Sequence, residues 1–270
     1  MIKPVPTQAP ARAQYHLGQI IVVGLLAGFL AGLFGVGGGI LIVPGLVLVA
    51  GMEQRLAHGT SLAAVVPIAI ASLLAYALQD NVDWAATLWL SIGAVGGVVI
   101  GTRLLHVLPQ RTLALLFAAV LVVSAVRLFF DTDATGRTPL TALDAVILVA
   151  IGVASGVLAG LLGVGGGLVM VPAMILLFSI APVIAKGTSS AVIVPTAVMG
   201  TVRNRSRGNT DLRAAVIVGV AGMVTAALGG LVSDRMSADL SNILFASLLM
   251  LVAIHLTVQV LRTRTVTTAG

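Results

Sequence analysis

The sequence predicts an all-α polytopic membrane protein built from two four-segment repeats, and three observations support this prediction. Of its 270 residues, 59% are hydrophobic and 9% are charged, whereas an ordinary soluble domain has about 25% charged residues. The charges separate long apolar stretches, as in chains that cross a membrane several times. The two halves of the chain also align with each other without a gap, so that Gly35 matches Gly163.

The composition excludes several other classes of protein. The chain has no cysteine, which rules out disulfides, thiolate metal sites and cysteine catalysis. The net charge of +6 and the pI near 11.1 come from basic residues scattered between apolar spans. The positive-inside rule produces this pattern, so we expect no nucleic-acid partner. No spacing of His, Asp or Glu suggests a metal site, and we expect no cofactor.

The charges divide the chain into eight apolar segments, most of them near the roughly 20 residues that a membrane-crossing helix needs. The segments lie at about 17–50, 59–79, 84–102, 112–130, 145–180, 187–202, 214–233 and 240–261. We therefore place repeat 1 at 17–130 and repeat 2 at 145–261, joined by a linker loop at 131–144. Residues 1–16 and 262–270 are predicted to be cytoplasmic tails. The first apolar run is too long for a signal-peptide core, so we expect no cleavage.

The first and fifth segments are too long for one crossing. Leu17–Ala50 contains 34 residues without a charge, which makes a straight helix of about 51 Å at 1.5 Å per residue. The hydrocarbon core is only about 30 Å thick. A glycine cluster followed by Pro44 lies near the middle, and segment five has the same cluster followed by Pro172. Glycine and proline disfavour helix interiors, so we predict that both segments are broken and re-entrant.

The internal repeat is detailed enough to indicate a duplication. Over positions 24–63, 19 of 40 residues are identical to their partners 128 positions later. The matches include the Gly-Val-Gly-Gly-Gly runs at 35–39 and 163–167, and the Gly-Thr-Ser runs at 59–61 and 187–189. Repeats of this kind are typical of secondary transporters.

The charges of equivalent loops favour an inverted repeat. The loop at 80–83 contains two acids and no base, whereas its counterpart at 203–213 contains four arginines. If segments one and five each return to the side they entered, the basic residues divide 11 to 4 between the two faces. If each of the eight segments instead crosses the membrane once, the basic residues divide 10 to 5. Both arrangements place the two termini in the cytoplasm, but only the inverted one explains the contrast between the loops.

The glycine runs are the first candidate substrate site. A broken membrane helix exposes backbone N–H groups and positive helix N-termini at mid-depth, where they can bind an anion. Alternatively, glycines only let helices approach each other, and this packing interpretation is preferred for Gly24, Gly28, Gly32 and for Gly152, Gly156, Gly160. The predicted binding residues in the runs are Gly37, Gly38, Gly39, Gly165, Gly166 and Gly167.

Polar residues at the predicted starts of segments two and six are the second candidate site. Thr60, Ser61, Thr188 and Ser189 either cap the helices or bind anion oxygens. Lys186 either attracts the anion or extends to the membrane interface. His58 either carries a coupling proton or is interfacial. The aromatic residues Tyr76, Trp84 and Trp89 are interpreted as interfacial anchors.

The doubled Gly-Val-Gly-Gly-Gly with its Val-Pro, the doubled Gly-Thr-Ser and the Asn-Val-Asp-Trp at 81–84 resemble the TauE/SafE family of sulfite and organosulfur-anion exporters. The resemblance covers about residues 20–260. It implies export of a small, often sulfur-containing anion across a bacterial inner membrane. Leu212 stands where the first repeat has Trp84, and Lys186 stands where it has His58, so the site is expected to be asymmetric there.

We therefore expect a secondary transporter for sulfite or a sulfonate, not an enzyme, working by alternating access in the inner membrane. The alternatives are an anion channel, an uptake transporter for thiosulfate-like anions, an intramembrane enzyme and a membrane anchor. No acid–base pair at membrane depth supports the enzyme, and an anchor needs no costly helix breaks. The expected partners are the anion and the lipid bilayer, and faces of small residues permit a homodimer.

Overall fold

The computed structural model describes residues 16–104, 118–119, 121–126, 136 and 140–267, and these residues form helices and short connections without a strand. The helices are α1 (Leu17–Phe34), α2 (Gly39–Leu48), α3 (Gln54–Ala77), α4 (Trp84–Leu104), α5 (Ala142–Leu162), α6 (Gly167–Phe178), α7 (Pro182–Arg205), α8 (Leu212–Asp234) and α9 (Ala238–Thr267). Residues 118–119 and 121–126 are also helical. Most of the predicted segment at 112–130 and of the linker at 131–144 lies outside the described residues.

Six of the helices, α1, α3, α4, α5, α7 and α8, are long and apolar enough to cross a membrane. Large apolar side chains cover their outer faces, and Leu74, Val216 and Val224 are each more than half exposed. Such a surface suits lipid and not water. The predicted all-α polytopic membrane fold is confirmed.

The helix boundaries follow the internal repeat. Helices α6, α7 and α8 begin 128 residues after α2, α3 and α4, respectively. The first and fifth segments are both broken, α1 from α2 at residues 35–38 and α5 from α6 at residues 163–166. The breaks therefore lie at the glycine runs, as predicted.

Several helices extend beyond the predicted apolar segments, because a charge ends an apolar run without ending a helix. Helix α3 begins at Gln54 and α7 at Pro182, five residues before the predicted starts. Proline is well tolerated there because the first helical N–H needs no partner. The Gly-Thr-Ser runs thus lie inside the helices, and the capping interpretation of their hydroxyls is wrong. Helix α9 likewise continues past the apolar segment at 240–261 to Thr267, and the cytoplasmic location of residues 262–270 stays a prediction.

The interpretation of Tyr76 as an interfacial anchor was also wrong. Its side chain is fully buried, and its hydroxyl donates a 2.6 Å hydrogen bond to the carbonyl oxygen of Gly32. In contrast, Trp84 and Trp89 lie on the outer surface, 59% and 38% exposed. Sequence position alone placed all three near span ends, but it could not show which of them point inward.

The first helix of each repeat packs on the fourth helix of the other. Gly24, Gly28 and Gly32 of α1 lie against the backbone of α8 around residues 218, 222 and 226, respectively. Gly152, Gly156 and Gly160 of α5 lie against α4 in the same way. In both helix pairs the contacted residue numbers rise as the glycine numbers rise. Helices α1 and α8 are therefore parallel, and so are α5 and α4. The packing interpretation of these glycines is confirmed.

The two central helices, α3 and α7, run antiparallel. Ser72 of α3 hydrogen-bonds Ser190 of α7 at 3.0 Å, whereas Gly200, near the end of α7, packs on Leu62 near the start of α3. Helix α2 also runs back along α1, because Gly38 packs on Ala27 and Gly45 packs on Val23. These directions are those that an inverted repeat with re-entrant first segments requires. The membrane face at which each end lies stays a prediction.

Single cysteines test this topology directly, because the chain has no cysteine of its own. Leu78 and Ser206 are equivalent residues just beyond α3 and α7, and both are exposed. We expect an impermeant maleimide to label Leu78→Cys only from the periplasmic side of spheroplasts. Ser206→Cys, beside Arg203 and Arg205, should be labelled only in inside-out vesicles. Labelling of both from one side would contradict inversion.

Candidate functional site

The two glycine turns meet at the centre of the molecule, between α3 and α7. A methyl group added to Gly39 would collide with the carbonyl oxygen of Gly163, and one added to Gly167 would lie 2.6 Å from that of Gly35. Gly37 lies between Val65 of α3 and Ile193 of α7, which are themselves equivalent residues. The structure thus packs the turn that contains Gly37, Gly38 and Gly39 against the turn that contains Gly165, Gly166 and Gly167, although Gly38 and Gly166 themselves lie against Ala27 and Ser155 of their own repeats.

The backbone of each turn depends on glycine. Gly35 ends α1 with φ 65°, and Gly163 ends α5 with φ 68°, a left-handed conformation that closes helices and favours glycine. The turns also pack too closely to hold an anion between them in this conformation. An anion can bind there only if the turns separate.

The Gly-Thr-Ser runs hold the two repeats together. The hydroxyl of Thr60 accepts a 2.9 Å hydrogen bond from the backbone N–H of Asp211, and Thr188 accepts the equivalent bond from Asp83. The hydroxyl of Ser61 donates to the carbonyl oxygen of Gly163 at 2.9 Å, and Ser189 donates to that of Gly35 at 2.8 Å. All four side chains are fully buried. In this conformation their hydroxyls bond the backbone of the opposite repeat.

The side chain of His58, which belongs to α3, contacts the C-terminal end of α5. Its Nδ1 is 3.0 Å from the carbonyl oxygen of Leu161, one of the terminal carbonyls that a helix leaves without an internal partner. The side chain is buried. This contact gives His58 a structural role, and its predicted role in proton coupling stays a prediction.

Lys186 occupies the equivalent position in α7, but its surroundings differ. It is 1% exposed, and its ammonium donates hydrogen bonds to Ser233 Oγ at 3.1 Å and to Ser241 Oγ at 2.5 Å. The ammonium also lies 5.5 Å from the centre of the Phe34 ring. No carboxylate in the described part of the chain forms an ion pair with it. A buried charge without a countercharge is costly in a membrane protein, which makes Lys186 a candidate for a functional role.

Ser233 and Ser241 were not among the predicted site residues. They lie 47 and 55 positions after Lys186, near the end of α8 and in the first turn of α9. In the sequence they resemble ordinary polar residues at the ends of spans. The one available signal was the repeat itself, because the aligned positions in the first half are Leu105 and Leu113.

Comparison with known proteins extends the resemblance found in the sequence. Residues 147–269 match the family model described as Sulfite exporter TauE/SafE. The chain is 30% identical to the probable membrane transporter protein YunE of Bacillus subtilis, over 71% of this chain and 79% of that protein. It is 29% identical to a probable membrane transporter protein of Xylella fastidiosa, over 86% and 91%, respectively. A second Bacillus subtilis protein, the probable membrane transporter protein YjnA, is 26% identical over 88% and 98%.

Proposed function

Because this chain belongs to the TauE/SafE family of membrane transporters, we propose that it is a secondary transporter for a small anion. The proposed substrates are sulfite and organosulfur anions such as sulfonates. The proposed direction is export across the bacterial inner membrane, with both termini in the cytoplasm. A negative cell interior favours this direction by about 2.3 kcal/mol per charge for each 100 mV.

The observation that carries the proposal is the buried ammonium of Lys186. Its described hydrogen-bond partners are the neutral hydroxyls of Ser233 and Ser241, so the site holds one uncompensated positive charge. An anion that binds there removes this imbalance. A cation would be repelled, and a neutral solute would leave the charge unpaired.

The contacts between the repeats support alternating access. Thr60 and Thr188 form equivalent hydrogen bonds from α3 to the start of α8 and from α7 to the start of α4. The glycine turns pack against each other between these contacts, which closes the centre. If one repeat rocks against the other, the equivalent contacts open in turn and expose the centre first to one side and then to the other.

The test is anion flux into proteoliposomes under an imposed potential, with protein-free liposomes as the control. Sulfite, thiosulfate and sulfoacetate are supplied separately, and the initial rate is measured against concentration. Saturable flux of at least one anion, accelerated by the same anion on the opposite side, is the expected result. Rapid flux that does not saturate would indicate a channel instead. A folded protein that moves none of these anions would contradict the proposed substrate class.

A further inference from the structure

We infer that Lys186, Ser241 and Asn242 form one anion-binding subsite, present only in the second repeat, that takes an oxyanion head group carrying a single negative charge. This inference rests on the proposed function and names the residues and the charge that the site recognises. The subsite lies between the end of α8, which carries Ser233, and the first turn of α9, which carries Ser241. Phe34 at the end of α1 lies beside it. Sulfonate is the simplest head group that meets its requirements.

The subsite has hydrogen-bond donors that no described acceptor uses. An ammonium has three donors and a serine hydroxyl has one. Lys186 uses two donors on Ser233 and Ser241, and the structure gives no acceptor in the described chain for its third donor or for the Ser241 hydroxyl. Three oxygens on one head group, each an acceptor, match such a set.

Asn242 is the second, independent observation. It follows Ser241 in α9 and is 2% exposed, and its side-chain nitrogen has no hydrogen-bond partner. Buried polar atoms in folded proteins are nearly always paired, so an unpaired one needs an explanation. An anionic ligand beside Ser241 provides the missing acceptor.

Ser233 accepts a hydrogen bond from Lys186 at 3.1 Å. The hydroxyl of Tyr76 donates to the carbonyl oxygen of Gly32 in the last turn of α1. This terminal carbonyl therefore has a partner other than the ammonium of Lys186.

The first repeat has different residues at the aligned positions. The residues aligned with Lys186, Ser241 and Asn242 are His58, Leu113 and Ala114. His58 contacts the terminal carbonyl of α5, whereas Lys186 makes no such contact. The combination of Lys, Ser and Asn at these positions is therefore found in the second repeat and not in the first.

The net charge of the site selects the charge of the ligand. Lys186 supplies one positive charge, and one negative charge on the ligand makes the occupied site neutral. A dianion would leave one uncompensated negative charge in a buried environment, which is unfavourable. Asp234, which follows Ser233 in the sequence, is exposed, and its carboxylate accepts a 2.6 Å hydrogen bond from Asn81.

The test compares Ser241→Ala and Asn242→Ala with Ser247→Ala, a control on the same helix. Ser247 is exposed and donates its hydroxyl to the carbonyl of Ile243 in its own helix. We expect the KM for methanesulfonate in proteoliposomes to rise about tenfold in Ser241→Ala and in Asn242→Ala, as for a lost hydrogen bond to a charged group. Ser247→Ala should keep the wild-type KM. Sulfate, a dianion, should compete far less well than methanesulfonate in the wild type.

Methanesulfonate binding in detergent provides a second measurement, as a ligand-induced rise in Tm. We expect this rise in the wild type and in Ser247→Ala, and its reduction in the other two variants. If the wild type transports anions but Ser241→Ala and Asn242→Ala keep its KM, the subsite is wrong and the proposed function stands. If the wild type moves no anion, the proposed function is wrong, and an absent Tm rise then overturns the subsite as well. Equal competition by sulfate would overturn the charge assignment.

Discussion

Replacement of Lys186 with methionine should strongly reduce anion flux and leave the fold intact. Methionine is similar in length to lysine and apolar, so it fills the space above the Phe34 ring without a charge. The loss removes the one described cation at the site, and loss of one partner from a buried ionic contact costs about 3–5 kcal/mol. A factor of ten in affinity corresponds to about 1.4 kcal/mol. We therefore expect kcat/KM for the transported anion to fall by at least about 100-fold.

The stability of Lys186→Met should equal or exceed that of the wild type. A buried ammonium without a carboxylate loses its hydration, and an apolar residue of similar volume avoids this penalty. The matched control is Arg205→Met, which removes an exposed cation from the same helix and should keep most of the flux. Proteoliposome flux and the Tm in detergent measure the two effects. Wild-type flux in Lys186→Met would show that the ammonium is structural.

The fold was largely predictable from the sequence because the strongest constraints are local. Glycine and proline near the middle of a long apolar run disfavour a continuous helix wherever the run packs, and the breaks occur at Gly35 and Gly163 as expected. The repeat, which has a constant offset of 128 residues, then predicted equivalent helices in the two halves. The starts of α3 at Gln54 and α7 at Pro182 were not predicted, because these helices extend past the charged residues that end the apolar runs.

The site was only partly predictable, because its contacts join distant parts of the chain. Lys186 was identified from its position alone, since it ends a long stretch without charges. Its partners Ser233 and Ser241 could not be identified from the sequence, because their approach to Lys186 depends on how α8 and α9 pack on α7. The hydroxyls of Thr60 and Thr188 were predicted either to cap helices or to bind anion oxygens, and in this structure they accept hydrogen bonds from the opposite repeat. Their contact with an anion stays a prediction. Donor and acceptor pairing is decided by tertiary packing, which the spacing of residue types does not encode.

Replacement of Gly28 with alanine should prevent assembly of the two repeats. A methyl group at Gly28 would overlap the backbone of Gly222 in α8. Backbone atoms cannot move aside as a flexible side chain can, so α1 and α8 must separate along their whole contact. Overpacking in a well-packed core costs about 1–3 kcal/mol when side chains can adjust, and we expect a larger loss here. The folded, monodisperse yield after detergent extraction should fall severalfold.

Gly18→Ala is the matched control, because Gly18 lies in the same helix and a methyl group there meets open space. Alanine is favoured over glycine within a helix by about 1 kcal/mol, so this variant should be as stable as the wild type or slightly more stable. Gly156→Ala, which meets the backbone of Ala94 in α4, should reproduce the defect of Gly28→Ala in the other repeat. Size-exclusion profiles and Tm values distinguish these outcomes. A Gly28→Ala protein as stable as Gly18→Ala would refute the close contact between α1 and α8. It would thereby also refute the packing of the first helix of one repeat on the fourth helix of the other.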